Sequence, residues 1–303
     1  MLAYREEDNL IHKLHPLTTV VFVAVVFVLA LVFSHPVYLL GLLLVIGTVI
    51  VGAGHYREWK SYLKFSLVMI AIIIIVNGLF VHVGQTIIFT SPDLLGRGRI
   101  NVSLEALAFG AGMGIRLLVI ISAFCLYTCA VHPDKVMKLF GRGSKSVLIM
   151  TLSTRLFPLM VKDYYRIIEV QRCRGVKFDQ GRWWQRARNL LPIVSILLVS
   201  SLERALQLAE SMHARGYGSG PRTSYSRELW RPRDYLILTT VGVGLVLGIW
   251  AALQGWSSYS YYPRLPAIQS ADVEMTGLIV LMLMVPAVLN WGWGKWPLLK
   301  SKI

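Results

Sequence analysis

Long uncharged apolar runs limit this chain to a membrane protein built from helices. Five runs each contain at least 17 residues without Asp, Glu, Lys or Arg: Leu17 to Phe33, Val37 to Ala53, Phe65 to Val83, Tyr235 to Leu253 and Thr276 to Trp293. A helix crosses a bilayer with about 20 apolar residues, and about 17 is the lower bound. A sixth stretch, Leu104 to Val131, is long enough although it contains Glu105 and Arg116. The sequence therefore predicts an all-α integral membrane protein with about six transmembrane helices.

Basic residues are concentrated on one side of the predicted membrane. With the N-terminus in the cytoplasm, the segments 1–16, 54–64, 132–234 and 294–303 face the cytoplasm and hold 27 of the 31 Lys and Arg residues. Loops rich in Lys and Arg stay on the cytoplasmic side of a membrane. We therefore predict a multi-pass protein whose N- and C-termini are both cytoplasmic.

The largest basic segment separates two membrane regions. Residues 132–234 carry 19 basic and 8 acidic residues, between four predicted spans in 1–131 and two in 235–303. Basic segments of this kind bind nucleic acid or anionic lipid. The segment contains no aromatic-rich RNA-binding module and no zinc finger, so we expect the lipid bilayer and no nucleic acid among its partners.

Two long amphipathic helices are predicted inside this basic segment, over Val147 to Arg174 and over Leu191 to Arg215. Pro158 is either a kink or a first-turn residue of the first helix, and Pro192 is near the start of the second. The apolar run Leu190 to Val199 has ten residues, too few to span a bilayer. We therefore expect both helices to lie along the cytoplasmic face.

Both predicted helices end in an Arg-Gly pair, Arg174-Gly175 and Arg215-Gly216. Glycine just beyond a helix end is the commonest C-cap because it adopts positive φ, and Arg favours the negative end of the helix dipole. Arg also presents a planar fork of donors that suits carboxylate or carbonyl groups on a partner. The repetition of the pair therefore indicates docking in addition to capping.

The other polar features predict no catalytic, cofactor or metal site. The three cysteines lack disulfide or zinc spacing, and GRGSKS at 141–146 lacks the spacing of a phosphate-binding loop. His12 and His15 have no third metal ligand beside them. The glycines of GAGMG at 110–114 predict close helix packing. For Arg116, snorkelling or a polar contact between helices is favoured over a transport site.

The motifs RCRGV and ARGYG resemble the two Arg-Gly signatures of the transmembrane T component of energy-coupling factor (ECF) transporters, the family that includes CbiQ-like cobalt permease subunits. IHKLHPLTT before the first span is similar to the family's opening. The segments leading into the two motifs, STRLFPLMVKDYYRIIEVQ and LLPIVSILLVSSLERALQLAESMH, are similar to the family as well. The resemblance covers most of residues 1–235.

This resemblance implies an α-helical scaffold of a prokaryotic cell membrane that is not itself an enzyme. Such a protein holds a membrane S (substrate-binding) subunit and two ABC-type ATPase subunits. It transmits ATP-driven motion of the ATPases to the S subunit, for uptake of a vitamin or a transition-metal ion. The implied ATPase-docking residues are Cys173, Arg174, Gly175, Ala214, Arg215 and Gly216, with Cys173 in a position where the family usually has alanine.

The residues fit two functions of other classes less well. A self-sufficient secondary transporter or channel needs ionisable residues in several spans, and only Arg116 is clearly within one. A membrane enzyme acting on lipids needs paired carboxylates or a metal cluster, whereas the acidic residues of 132–234 are scattered singly.

Overall fold

The computed structural model describes residues 14–81, 86–90, 101–131, 135–136, 145–176, 183–220, 230–262, 266 and 270–295, and most of them are helical. The helices are α1 (Pro16–Val32), α2 (Pro36–Gly52), α3 (Tyr56–Phe80), α4 (Leu104–Ala130), α5 (Lys145–Cys173), α6 (Trp183–Ala214), α7 (Pro232–Leu253), α8 (Ser270–Leu283) and α9 (Val285–Lys295). The strands are β1 (Ile87–Thr90) and β2 (Asn101–Ser103).

The chain forms two compact units. Unit 1 consists of 1–136 and 228–303, and unit 2 consists of 137–227. Unit 1 contains α1 to α4 and α7 to α9, whereas unit 2 contains α5 and α6. The six predicted spans correspond to the apolar helices of unit 1, which confirms the all-α membrane fold.

The helices of unit 1 differ in length relative to the thickness of a bilayer. α3, α4 and α7 are each long and apolar enough to cross it, and α1 and α2 have 17 residues each, at the lower bound of about 17. The last predicted span is a helix pair, α8 and α9, bent by 45°. Pro286 lies just beyond this bend, where its missing N–H cannot continue the hydrogen-bond ladder of α8.

The core of unit 1 lies among α1, α2, α4, α7 and α8. Small residues let α3 approach α4 closely. A Cβ added to Gly110 would lie 3.1 Å from the Cα of Ile74, and one added to Gly114 would lie 2.8 Å from Cγ2 of Ile70. This geometry confirms the packing role predicted for GAGMG.

The starts of α1 and α7 are joined by a buried carboxylate. Asp234 accepts a hydrogen bond from the backbone N–H of His15 at 2.9 Å and another from the backbone N–H of Arg231 at 3.0 Å. The His15 ring stacks on Trp230 at 4.3 Å between centroids, and its Nδ1 accepts from the backbone N–H of Leu17. His15 is therefore a helix cap and a packing residue.

The opposite end of α1 is held by polar contacts from three directions. The carbonyl of Ser257 accepts from the backbone N–H groups of Ser34 and His35, both at 3.0 Å. Arg116 donates to the Phe33 carbonyl at 2.8 Å, and the Tyr261 hydroxyl donates to the Ser34 carbonyl at 3.2 Å. The polar contact between helices that was predicted for Arg116 is thus confirmed.

A short pair of antiparallel strands precedes α4. β1 pairs with β2 through Phe89 with Val102 and Thr90 with Asn101, and both strands are short. Ser103 ends the pair and caps α4, because its hydroxyl accepts from the backbone N–H of Ala106 at 3.3 Å. This cap agrees with the predicted start of the fourth span at Leu104.

Candidate functional site at the two Arg-Gly helix ends

The two helices that carry the Arg-Gly pairs are longer than the sequence predicts. α5 extends from Lys145 to Cys173 with Pro158 in its interior, so a first-turn position for this proline is wrong. α6 begins at Trp183, eight residues before the predicted start, and Pro192 is also interior. The residues of WWQRARNL before Pro192 include the good helix formers Gln, Arg, Ala and Leu, which extend the helix backwards.

One part of α6, Leu190–Ala214, is long and apolar enough to be a candidate span. Leu202, Leu206 and Ala209 follow the ten-residue apolar run, so the apolar part of the helix is longer than that run. The prediction that the apolar part of this helix is too short to cross a membrane is therefore wrong on length and composition. Its position along the cytoplasmic face stays a prediction.

The C-terminal end of α5 is a Schellman motif. The N–H of Gly175 donates to the carbonyl of Arg172 at 2.9 Å, and the N–H of Val176 donates to the carbonyl of Gln171 at 3.1 Å. Gly175 has φ of +86°, a conformation that costs other residues free energy because Cβ approaches the carbonyl oxygen. Arg174 thus occupies the last position before the reversal of the chain.

The end of α6 has the same pattern of bonds. The N–H of Gly216 donates to the carbonyl of His213 at 2.9 Å, and the N–H of Tyr217 donates to the carbonyl of Met212 at 3.0 Å. Gly216 has φ of +77°. Arg215 therefore has the same place in its cap as Arg174, so the two ends offer equivalent backbone geometry.

All six predicted docking residues are exposed: Cys173, Arg174, Gly175, Ala214, Arg215 and Gly216. Within the described part of the chain, neither Arg side chain has a hydrogen bond or an ion pair. A Cβ added to Gly175 would meet nothing within 4 Å, and one added to Gly216 would lie 3.3 Å from the Ser219 hydroxyl. Both helix ends thus present free guanidinium groups beside an open backbone.

An ion pair that the sequence did not reveal joins α5 to α6. Arg204 Nη2 lies 2.6 Å from Asp163 Oδ2, and both side chains are partly buried. The two residues are 41 positions apart, the same separation as Arg174 and Arg215. Each partner therefore lies eleven residues, or about three helical turns, before the Arg of its own helix.

A stripe of exposed apolar side chains extends along α6. Its five large members are each more than half exposed and recur every three or four residues: Leu191, Val194, Leu198, Leu202 and Leu206. Residues at this spacing lie on one face of a helix. We call this face the α6 stripe. An apolar face of this extent is typical of a surface that contacts a partner or a membrane.

Residues 7–225 match the family model of CbiQ, described as a cobalt transport protein. The chain belongs to the CbiQ family. The matched range includes α5, α6 and both Arg-Gly ends of this CbiQ-family protein.

Relatives of this CbiQ-family protein carry the name energy-coupling factor transporter transmembrane protein EcfT. The one from Streptococcus thermophilus is 45% identical over 102 residues, which are 33% of this chain and 39% of that protein. The one from Lactococcus lactis is 27% identical over 261 residues, 82% of this chain and 95% of that protein. The one from Clostridium kluyveri is 27% identical over 82% of this chain and 96% of its own. The chain is thus an EcfT/CbiQ-like T component of an ECF transporter.

The cysteines predicted to be packing residues lie within the described residues of this CbiQ-family protein, whereas two other predicted features lie wholly or partly outside them. Cys125 and Cys129 are buried in α4, whereas Cys173 is exposed. His12 and the first four residues of GRGSKS, 141–144, lie outside the described residues, whereas Lys145 begins α5. Among the described residues, no group of three or more His, Cys, Asp and Glu side chains is arranged to hold a metal ion.

Proposed function

We propose that this T component couples two ABC-type ATPase subunits to a membrane S subunit, and that it performs no chemistry itself. The observation that carries this proposal is the pair of equivalent Arg-Gly caps at the ends of α5 and α6. In this account ATP-driven motion of the ATPases moves the two helices. Their motion displaces the S subunit and releases a vitamin or a transition-metal ion into a prokaryotic cell.

The chemistry of each cap supports docking to a protein surface. A guanidinium group donates several hydrogen bonds in one plane, which matches carboxylate and carbonyl groups. Gly175 and Gly216 reverse the chain without adding a side chain next to Arg174 and Arg215, so a partner can approach the backbone closely. Cys173 and Ala214 add a small side chain on the other side of each Arg.

The duplication supports two ATPase copies. Two identical subunits need two equivalent contact points, and the same cap geometry recurs after 41 residues. The Asp163–Arg204 ion pair has this separation too. It ties the helices together at equal distances from their ends, so a displacement of one end is passed to the other helix.

The distribution of charge supports the orientation. In this orientation the cytoplasmic segments hold 27 of the 31 basic residues, as the positive-inside rule requires. The cytoplasm therefore contains both termini and the coupling region, 132–234. The membrane regions 1–131 and 235–303, which precede and follow this coupling region in the sequence, form the scaffold. The α6 stripe is then available to an apolar partner surface, either the S subunit or the bilayer.

The direct test reverses both charges, with Arg174→Glu and Arg215→Glu in one protein. The double variant is expected to lose co-purification of the ATPase subunits while unit 1 still folds. A matched control carries Arg155→Glu and Arg188→Glu, which make the same change of charge at exposed positions of α5 and α6 away from the ends. Stoichiometric ATPases on the first variant would contradict docking at the caps.

A second test separates this proposal from a self-sufficient secondary transporter or channel. Transport by the reconstituted complex is expected to need ATP and the partner subunits. Uptake of substrate into liposomes that contain this chain alone would contradict a coupling role.

A further inference from the structure

An apolar groove of about 720 Å³ lies on unit 1 between α2 and α9. One wall is a stripe of α2, the other is a stripe of the bent α8–α9 pair, and Trp59 of α3 contributes from the side. The lining residues are Leu40, Leu43, Leu44, Gly47, Thr48, Val51, Gly52, Trp59, Met284, Ala287, Val288 and Trp291. The volume lies within the ~300–1,000 Å³ typical of small-molecule sites.

Small residues lie at the base of this groove. Gly47 and Ala287 are both buried, and a Cβ added to Gly47 would lie 3.2 Å from the Trp59 ring. The surrounding side chains of Leu44, Val51 and Val288 are each about half exposed. Water in so apolar a space would lack hydrogen-bond partners, and an empty groove forfeits dispersion contacts. In a bilayer the occupant is therefore a hydrocarbon chain or an apolar side of another protein.

The length of the groove matches a single lipid leaflet. Its α2 wall extends from Leu40 to Val51, and the eleven steps between these residues rise ~17 Å along a helix. The hydrocarbon core of a bilayer is ~30 Å thick, so one leaflet supplies about half of that. An acyl chain that begins at the Gly52 end of α2 would occupy this wall along its length.

The chain that follows the Gly52 end of the groove is basic. A short turn leads from Gly52 to α3, whose N-terminal part carries the exposed side chains of Arg57, Lys60 and Lys64. The acidic side chain in these turns, Glu58, lies 3.8 Å from His55. Basic residues beside an apolar cleft at the end of a span attract anionic lipid head groups.

We propose that this groove binds an anionic phospholipid. One acyl chain lies between α2 and α9, and the phosphate group lies at the basic first turns of α3. The basic residues at the start of α3 and the length of the groove, which matches one leaflet, favour a lipid over a helix of the S subunit. This site is separate from the coupling role and does not depend on it.

Lipid retention by the purified full chain tests the site. Native mass spectrometry compares phosphatidylglycerol with phosphatidylcholine of the same acyl chains. Preferential retention of phosphatidylglycerol is expected. Val288→Trp fills the groove from its rim and is expected to abolish the retention, whereas Val246→Trp, an equally apolar exposed position on α7 outside the groove, keeps it. Equal retention of the two lipids would overturn the proposal.

The head-group contact has its own variant. Replacing Arg57, Lys60 and Lys64 with Gln is expected to weaken binding of phosphatidylglycerol by up to about fivefold for each charge removed. The matched control replaces three exposed basic residues of α5, Arg155, Lys162 and Arg166, with Gln. If both triple variants lose phosphatidylglycerol equally, the total positive charge of the protein attracts the lipid, and the proposed head-group contact at α3 is wrong. If Val288→Trp releases the S subunit without changing lipid retention, the occupant is a protein helix and the proposal is wrong.

Discussion

Unit 1 and unit 2 differ in how many of their side chains are buried. In unit 1, polar groups such as Asp234 and Arg116 make hydrogen bonds within the unit, and the helices share an extended apolar core. Among the described residues of α5 and α6, Ile193 is the one buried side chain. Large apolar residues of the α6 stripe are exposed instead.

This contrast separates a scaffold from a connector. A unit whose helices share an extended apolar core is stabilised by its own contacts. In the described parts of α5 and α6, one ion pair joins the two helices. Long helices with few buried side chains depend on packing against something else for most of their stability. Partners or lipid are therefore expected to complete unit 2.

The largest effect is expected from a side chain added inside the unit 1 core. Gly110→Leu forces Cβ against the backbone of Ile74, and overpacking of this kind costs about 1–3 kcal/mol or more. Thermal unfolding of the purified chain should show a clear decrease in Tm. Gly242→Leu on α7 is the control because no atom lies within 4 Å of its added Cβ. Equal Tm values for the two variants would contradict the close approach of α3 to α4.

In unit 2 the matching prediction concerns the ion pair. Asp163→Arg alone or Arg204→Asp alone replaces the native contact of 2.6 Å with two like charges in the same place, so each is expected to cost about 1.5–3 kcal/mol. The double exchange restores an opposite pair. Hydrogen exchange along α5 and α6 measures the loss and its recovery, with unit 1 unchanged. Failure of the double exchange to restore protection would show that the pair does not hold the helices together.

The two caps are expected to respond alike to a smaller change. Gly175→Ala and Gly216→Ala each place a residue with a Cβ atom at positive φ. This conformation costs about 1–2 kcal/mol of folding free energy. Asparagine tolerates this conformation better than alanine, so Gly175→Asn and Gly216→Asn should lose less. The affinity of the chain for purified ATPase subunits is the measurement. A loss at one end only would show that the caps are not equivalent.

The smallest effect is a pH dependence confined to unit 1. Burial lowers the pKa of His35 below its ordinary value of 6.5, although the Asp272 carboxylate at 3.6 Å opposes this shift. Because the unfolded chain binds the proton more readily, the stabilisation is present above about pH 6.5 and is lost as the pH falls through the lower native pKa. Protonation would also remove the Nδ1 acceptor for the Val37 N–H.

Comparing Tm at pH 7.5 and 5.5 for the natural chain and for His35→Asn measures this contribution. The natural chain is expected to lose more stability on acidification than the variant. Equal losses would assign the pH dependence to other groups.

The spans and the caps were predictable because their signals are local. Hydropathy over 17 to 25 residues determines whether a helix can cross a bilayer, and a glycine after an amphipathic run marks a helix end. The backward extension of α6 was missed because Pro192 suggested a start. Proline weakens a helix interior but does not always end it.

Long-range contacts were not predictable in the same way. The partner of Arg116 is the backbone carbonyl of Phe33, and carbonyl groups carry no sequence signature. Asp163 and Arg204 are common residue types in a chain with 31 basic residues. Asp163 and Arg204 become aligned when the sequences of the two helices are superposed with the 41-residue offset of their Arg-Gly pairs. This shared offset is the sequence signal that indicates their contact.

Cross-linking through Cys173 tests the coupling account most directly, because this cysteine is exposed at one cap while Cys125 and Cys129 are buried. In the assembled transporter, a short thiol-to-amine cross-linker should join Cys173 to an ATPase subunit. A variant with Cys173→Ser and Ala214→Cys should form the equivalent link from the other cap, and Cys173→Ser alone should form none. Free reaction of both positions with a water-soluble maleimide in the assembled complex, without any link to an ATPase, would contradict docking at the Arg-Gly ends.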